Sequence, residues 1–491
     1  MRPPLSVFFL GAAAALLIFS NLGNHYLWQD EAETALLARS VLETGLPRGF
    51  DGRNHISQTE GAEYAEGGLW RWTPWLPYYV CAASFALLGE STFAARLPFA
   101  LFGWGAVLLT GALARSLGRD RRTALLAAGL LALSVPFLLL VRQCRYYSLA
   151  SFLTLAALLG YARFVAGKRG GAALFFVSAL LLFHTHFVIL GGLLAAVALH
   201  WLLFSRRAAG PFLAMSLGAL LLNAPAIAFF AKAPSGVDFL DPGRILALAA
   251  SFGSQLARFV FPPFLLAIPP LVLLVRRWRG SPAPPRAESS QRGLALLLLF
   301  LACELAALSL ASMGAFFRYL GPLIPISCIL TALLLEQAFS LHPALALAAF
   351  ALWAATGSLP DYLYEIGHDY DGPVEGIVKL LQERAAPDDL VAITYEDLPV
   401  KFYTNLRVIG GLTGEDLSPA LRARWIVLRK HVILHDARMK EFLLANVDWT
   451  AYRPIALDVP DTKFQNRESP QEHRYRTARE EDRVIVHERV R

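Results

Sequence analysis

The sequence carries little charge and arranges its few cysteines in no metal-binding pattern. Of 491 residues, 17% are Asp, Glu, Lys or Arg against 56% hydrophobic, too apolar a balance for a soluble globular protein of that length. The four cysteines, Cys81, Cys144, Cys303 and Cys328, include no CxxC pair and stand mostly in apolar surroundings. That spacing specifies neither a metal knuckle nor a disulfide framework, and the cysteines read as small buried hydrophobes. There is no internal repeat, which argues against the paired halves of many carriers. No small-x-small cleavage site follows the apolar N-terminus MRPPLSVFFLGAAAALLIFSNLG, so it reads as a retained first span. The basic excess, 45 Lys and Arg against 38 Asp and Glu, is dispersed in short clusters between apolar runs. Such a pattern reports membrane orientation and excludes a nucleic-acid footprint.

What the sequence has in abundance is long apolar runs. Crossing ~30 Å of hydrocarbon takes roughly 17 to 25 apolar residues. Runs of that kind fall at 5–22, 97–115, 123–141, 148–165, 211–230, 258–276, 293–312, 320–337 and 343–358. A further run, 172–204, would be about 50 Å long as one helix. Lys168 and Arg169 precede it and Arg206 and Arg207 follow it, so both ends belong on the cytoplasmic side and the run is a hairpin turning at HTHF, 184–187. The basic loop RSLGRDRR, 115–122, is cytoplasmic only if PWLPYYVCAASFALLGE, 74–90, lies along the interface. The linker RRWRGSPAPPRAESSQR, 276–292, then falls inside as well.

The expectation is therefore a mainly α polytopic membrane protein with about eleven transmembrane helices over residues 1–358. Its first outer loop covers 23–96, its N-terminus is cytoplasmic, and an outer α/β domain follows at 359–491. In that domain PVEGIVKLLQERAAPDD has helical period, and LVAITY, RWIVLR and RVIVHERV read as strands. The charged stretch PDTKFQNRESPQEHRYRTAREEDRVIVHERV leads into the last strand and suggests no chemistry. WRWTPWLPYY, 70–79, reads as an aromatic belt anchoring the surface helix.

This topology gathers distant polar residues at one membrane surface. Asp30 and Glu31 follow the first span, Arg142, Arg145, Tyr146 and Tyr147 in VRQCRYYSL follow the third, His184 and His186 occupy the hairpin turn, and Arg318 and Tyr319 in FFRYLGPLIP precede the tenth. Tyrosines and arginines at helix ends snorkel as a matter of course. An acid in the first turn of DEAETALLARSVLETG, with Gly45 as its C-cap, is also favoured by the helix dipole. Carboxylates, however, have short stems and gain little from snorkelling, so the acidic pair is a functional candidate. Acids with arginines suit a lipid-linked phosphosugar. A carboxylate can take the proton of an acceptor hydroxyl, and a guanidinium fork matches the oxygens of a departing phosphate.

The order LWQDEAETALLARSVLETG, LLGESTFAARLP, RQCRYYSLASFL, HTHF and FRYLGPLIP resembles the GT-C superfamily of polyprenyl-phosphate-dependent membrane glycosyltransferases, in the branch of protein O-mannosyltransferases and lipid A aminoarabinose transferases. The resemblance covers residues 1 to about 340. It implies a bacterial cytoplasmic (inner) membrane enzyme that moves a sugar from a polyprenyl-phosphate donor to a lipid, glycan or protein acceptor on the periplasmic or extracellular face, inverting the anomeric carbon by direct displacement. It further implies Asp30 as catalytic base with Glu31 supporting it or orienting its helix, and donor-phosphate contacts from Arg145 and Arg318 beside Tyr146 and Tyr319. Arg142, Tyr147, His184, His186 and Glu66 are weaker substrate-binding candidates. The chain departs from the aminoarabinose transferases at Tyr147 and near Trp72, where those enzymes carry acids that would serve a divalent metal; Glu60, Glu63 and Glu66 of QTEGAEYAEGG are the acids available in its place, and the metal stays open. His184 and His186 are two positions apart, about 200° on a helix, so one histidine on substrate is favoured over two on a metal. The alternative function is a transporter or flippase of a lipid-linked glycan intermediate, which would also need arginines near phosphate.

Overall fold

Apolar helices of more than four turns dominate a computed structural model that describes residues 5–205, 209–230, 238–280, 288–369, 371–430, 434–462, 469–473 and 482–490. Arg206, Arg207, the middle of the 276–292 linker and parts of the charged stretch before the last strand lie outside the described residues. The chain begins with α1 (Leu5–Phe19) and α2 (Gln29–Thr44), then the short apolar helix α3 (Leu76–Leu88) and α4 (Thr92–Ser116). The 123–141 run is not one straight span but α5 (Arg121–Leu133) and α6 (Val135–Val141), bent by 66°. Pro136 in the first turn of α6 has no N–H to continue the ladder, which accounts for the break.

The 172–204 run folds as the expected hairpin, α8 (Gly171–Phe183) and α9 (Phe187–Phe204), after α7 (Tyr147–Val165). α7 and α8 approach so closely that a Cβ on Gly160 would lie 2.4 Å from the backbone nitrogen of Phe175. Small residues of this kind are what permit backbone contact between helices in lipid. α10 (Ala209–Phe230) follows. The expected 258–276 span is again corrected: α11 (Pro242–Phe259) and the segment Pro263–Trp278, which ends in α12 (Ile268–Trp278), meet at 82° across Pro262 and Pro263. α13 (Glu288–Ala311) and α14 (Leu323–Leu341) are straight, whereas α15 (Pro343–Ala355) and α16 (Leu359–Ile366) form a third bent pair at 54°.

Among the described residues five helices are long and apolar enough to cross a membrane, or eight if each bent pair is one span. Leu5–Phe19, Gly171–Phe183 and Leu221–Phe230 are shorter apolar helices. A total of eleven requires these three to cross as well and α3 to stay at the surface.

The C-terminal part is a mixed sheet with helices. α17 (Pro373–Arg384), β1 (Leu390–Ile393), α18 (Asp397–Tyr403), β2 (Arg407–Gly410), β3 (Trp425–Val427), α19 (Leu434–Asn446), β4 (Tyr452–Pro460) and β5 (Arg483–Arg489) give the strand order β2-β1-β3-β5-β4. β1 pairs parallel with β2 and β3, while β5 runs antiparallel to both β3 and β4. The three expected strands are present; β1 and β3, inside the sheet, are buried almost continuously, while β5 alternates exposed and buried residues.

This domain is bolted to the segment between α1 and α4 through α18. Leu398 and Phe402 of α18 join one apolar cluster with Leu36, Leu37, Trp70 and Phe85. Tyr403 stacks on Tyr26 at 4.0 Å, and its hydroxyl accepts from the N–H of Leu27 at 2.9 Å. Asn54 closes a reciprocal pair with the backbone of the other domain, donating to the Leu406 carbonyl and accepting from the Val408 N–H. α2 is therefore enclosed between the membrane helices and the sheet domain.

Candidate active site

α2 positions the central carboxylate. Its first N–H groups are unpaired by construction, and Glu31 reaches back to the Trp28 N–H at 3.4 Å. Gly45 ends the helix at φ 77°, a conformation that glycine adopts without strain, as its sequence position predicted. Residues 30, 33 and 34 share one face because 3.6 residues make a turn. That face meets the loop between α6 and α7.

Arg145, in that loop, is the hub. Its Nη1 donates to the Asp30 carbonyl at 2.9 Å, to Glu33 Oε1 at 2.8 Å and to Thr34 Oγ1 at 3.0 Å, while Nη2 stands 3.8 Å from Asp30 Oδ2. Arg318, from the short turn Phe317–Leu320, donates through Nη1 to the same Oδ2 at 2.9 Å. Three elements far apart in sequence thus place two guanidinium groups on one carboxylate. Both arginines also lie over aromatic rings, Arg145 on Tyr146 at 5.8 Å and Arg318 on Phe316 at 4.4 Å and Tyr319 at 5.8 Å. His186, between Tyr146 at 4.9 Å and Tyr319 at 5.6 Å, completes an aromatic row.

A narrow cleft lies beside this cluster, lined by Thr34, Thr73, Pro74, Pro77, Tyr78, Arg145, Tyr146 and Thr185. Thr73 and Tyr78 are hydrogen-bonded to each other across it. Hydroxyls, two aromatic rings and a guanidinium line the cleft.

Asp30, Arg145, Arg318, Tyr146, Tyr319 and His186 are brought together; the other sequence candidates are not. Glu31 is fully buried and spent: Arg96 grips it through Nε at 2.8 Å and Nη2 at 2.6 Å, and the Cys144 N–H donates to it at 2.7 Å. The remaining Arg96 donors satisfy the carbonyls of Leu22, His25 and Tyr26. With no free oxygen facing the cleft, Glu31 orients α2 instead of catalysing. Arg142 caps the end of α1, donating to the carbonyls of Leu17, Ile18, Ser20 and Asn21. Those carbonyls have no helical partner, and the guanidinium supplies one. Tyr147 is packed in the apolar core against Tyr146, so it too is withdrawn from substrate.

His184 caps α8, its ring lies against Phe183, and its carbonyl accepts the Leu76 N–H at 3.0 Å, which anchors α3. The loop acids disperse. Glu66 is exposed in the turn Glu66–Gly68, Glu60 pairs with Arg438, and buried Glu63 accepts from Ser57 and the Gln58 N–H. Glu33 accepts from Gln58 as well as Arg145, and burial raises its carboxyl above the usual range against the pull of Arg145. Trp72 is partly buried against the apolar cluster. Around Asp30 the neighbours are arginines, a donor set that does not fit a divalent cation, and among the described residues no group of three His, Cys, Asp or Glu could hold one.

Sequence reasoning missed Glu33, Thr34, Arg96, Thr73 and Tyr78. Glu33 had a signal, the i, i+3 spacing from Asp30 on one helix face. Arg96 stands in the quoted STFAARLP but next to apolar residues that give no hint of its partner.

No family model and no curated protein matches the sequence. Solved structures do match in fold. ArnT from Cupriavidus metallidurans in the apo state superposes with a TM-score of 0.62 at 14% identity, over 99% of this chain and 98% of that one. The same protein bound to undecaprenyl phosphate gives 0.58 at 15% identity with the same coverage. The archaeal oligosaccharyltransferase AglB from Archaeoglobus fulgidus, in complex with an inhibitory peptide and a dolichol-phosphate, gives 0.51 at 13% identity, over 87% of this chain and 69% of that one. The chain has the GT-C fold that its ordered motifs led one to expect.

Proposed function

We propose that this protein is a membrane glycosyltransferase that takes a sugar from a polyprenyl-phosphate donor and places it on a hydroxyl-bearing or amine-bearing acceptor at the outer face of a bacterial inner membrane. The observation that carries this reading is the Asp30 carboxylate held between Arg318 and Arg145 beside an aromatic-walled cleft. The fold likeness to ArnT, solved with undecaprenyl phosphate, and to AglB, solved with a dolichol-phosphate, supports it.

The donor phosphate competes for Arg318, whose planar fork matches phosphate oxygens better than a single carboxylate oxygen. Asp30, released on that side, accepts the proton of the acceptor. The acceptor atom then bonds to the anomeric carbon while the bond from that carbon to the phosphate oxygen breaks, with inversion. The electron pair leaves on the phosphate, where Arg145 and Arg318 stabilise the added charge. Preorganised donors of this type are each worth about 3 to 4 kcal/mol of barrier. Ionisable groups gathered on loops at the helix ends also count against a carrier, which keeps such groups near the midplane.

Protein in lipid nanodiscs, supplied with a panel of undecaprenyl-phosphate sugars, should release undecaprenyl phosphate and glycosylate an envelope-lipid or glycan acceptor. Mass spectrometry of envelope extracts with and without the gene product identifies that acceptor. Absence of any such transfer, with intact binding of all donors, would overturn the reading.

A further inference from the structure

Folding brings together two of the four cysteines that sequence spacing leaves apart. Cys81, in α3, and Cys144, in the loop that carries Arg145, are 63 residues apart in sequence, yet their sulfurs lie 3.6 Å from each other. Both are fully buried. Cys303 and Cys328 sit in α13 and α14, inside apolar helices, and have no such partner among the described residues.

The position of the pair gives it meaning. Cys81 follows Tyr78 by three residues on α3, so the two occupy one helix face, and Tyr78 forms one wall of the cleft. Cys144 precedes Arg145 and Tyr146, which also line the cleft, and its N–H is bonded to Glu31. A covalent bond between the sulfurs would tie together the two segments, α3 and the loop carrying Arg145, that line the cleft. It would also close a long loop, the case in which cross-linking constrains the unfolded chain most.

We propose that Cys81 and Cys144 form a disulfide that fixes the width of the cleft. The two thiols lose two protons and two electrons to a protein-disulfide oxidant of the outer compartment, whose own disulfide is reduced to a dithiol, and one S–S bond forms. The sulfurs approach by about 1.5 Å to reach bonding distance near 2.0 Å. Because both cysteines are buried in the finished fold, the exchange occurs while the loop assembles. The proposal rests on the outer placement of the first loop, since thiols in a reducing cytoplasm stay free.

The test is peptide mapping of the full chain, purified from membranes without reductant and alkylated with N-ethylmaleimide in denaturant. The expected result is a Cys81–Cys144 cross-linked peptide, unmodified until reduced, with Cys303 and Cys328 alkylated. In Cys144→Ser, Cys81 should become fully alkylated, and thermal inactivation should come at a lower temperature. Alkylation of both Cys81 and Cys144 in the unreduced parent protein would overturn the cross-link. A reporter separates that failure from failure of the sidedness: Arg53→Cys, at an exposed loop position, placed in Cys81→Ser/Cys144→Ser and labelled in intact cells by a membrane-impermeant maleimide. Labelled Arg53→Cys with free thiols in the parent sinks the disulfide alone. An unlabelled reporter with free thiols sinks both the disulfide and the outer placement.

Discussion

Asp30 and Glu31 are neighbours in sequence and opposites in situation. Both begin a helix whose dipole favours acids, but a turn of about 100° per residue sends their side chains in different directions. Asp30 faces Arg318 and Arg145 at the cleft, and Glu31 faces Arg96 in the interior. Asp30→Asn should therefore abolish sugar transfer while leaving expression and donor affinity near the parent's; turnover close to the parent's would rule out the base. Arg318→Ala should weaken donor binding by ten-fold or more, as expected when a charge-assisted contact of about 1.5 to 3 kcal/mol is lost, and titration of a polyprenyl phosphate into the variant measures it. Glu31→Ala leaves Arg96 buried without its counter-ion. Losing one partner of a buried pair costs about 3 to 5 kcal/mol, so this variant should lose folded yield and melting temperature, not merely turnover. The acidic pair and the arginines were legible as candidates. Which acid does chemistry was not, because the choice depends on what stands opposite each side chain.

At the scale of elements, α2 is held from both sides. Gln29 exchanges hydrogen bonds with α18, donating to Asp397 Oδ1 at 2.9 Å and accepting from the Leu398 N–H at 3.3 Å. Asp397 is in turn paired with fully buried Lys401, which donates to the His55 carbonyl. Asp397→Ala should loosen Gln29, the residue before Asp30, and lower turnover with little change in donor affinity. It should also increase protease cleavage between the sheet domain and α16. Gly160→Val tests a different junction. Its side chain would collide with the backbone of α8, and the α7–α8 pair should fail to pack, read as aggregation in mild detergent. The breaks at Pro136 and at Pro262–Pro263 belong to this scale too. Each proline was visible in the sequence, yet length and apolarity alone read straight spans there, since a proline kinks some helices and is tolerated by others.

The whole molecule is a helical membrane part and a sheet domain joined through the segment between α1 and α4, and one joint is sensitive to pH. Glu375, at the start of α17, accepts the Tyr26 N–H at 2.6 Å and the Gly372 N–H at 3.2 Å. Burial pushes its carboxyl up to about 7, against the pull of those donors. The unfolded chain releases the same proton near pH 4.3. Between the two values the folded state holds more protons, so stability is highest below about pH 4.3, falls as pH rises, and has lost this contribution above about 7, on the order of 3 kcal/mol in all. Melting temperature of the sheet domain followed from pH 4.5 to 7.5 should show that slope, and Glu375→Gln should flatten it. The sequence by itself determined the class of molecule: apolar run length and local pattern fix a polytopic helical protein, the hairpin at 184–187 and the tail strands, because each depends on residues near one another in the chain. Only the tertiary structure decided that Arg142, Tyr147 and Glu31 turn away from the cleft, that Thr34 and Tyr78 line it, that Glu33 pairs with Arg145, and that Cys81 meets Cys144. Those outcomes are set by which helix faces oppose each other after packing, and a single sequence does not encode that locally.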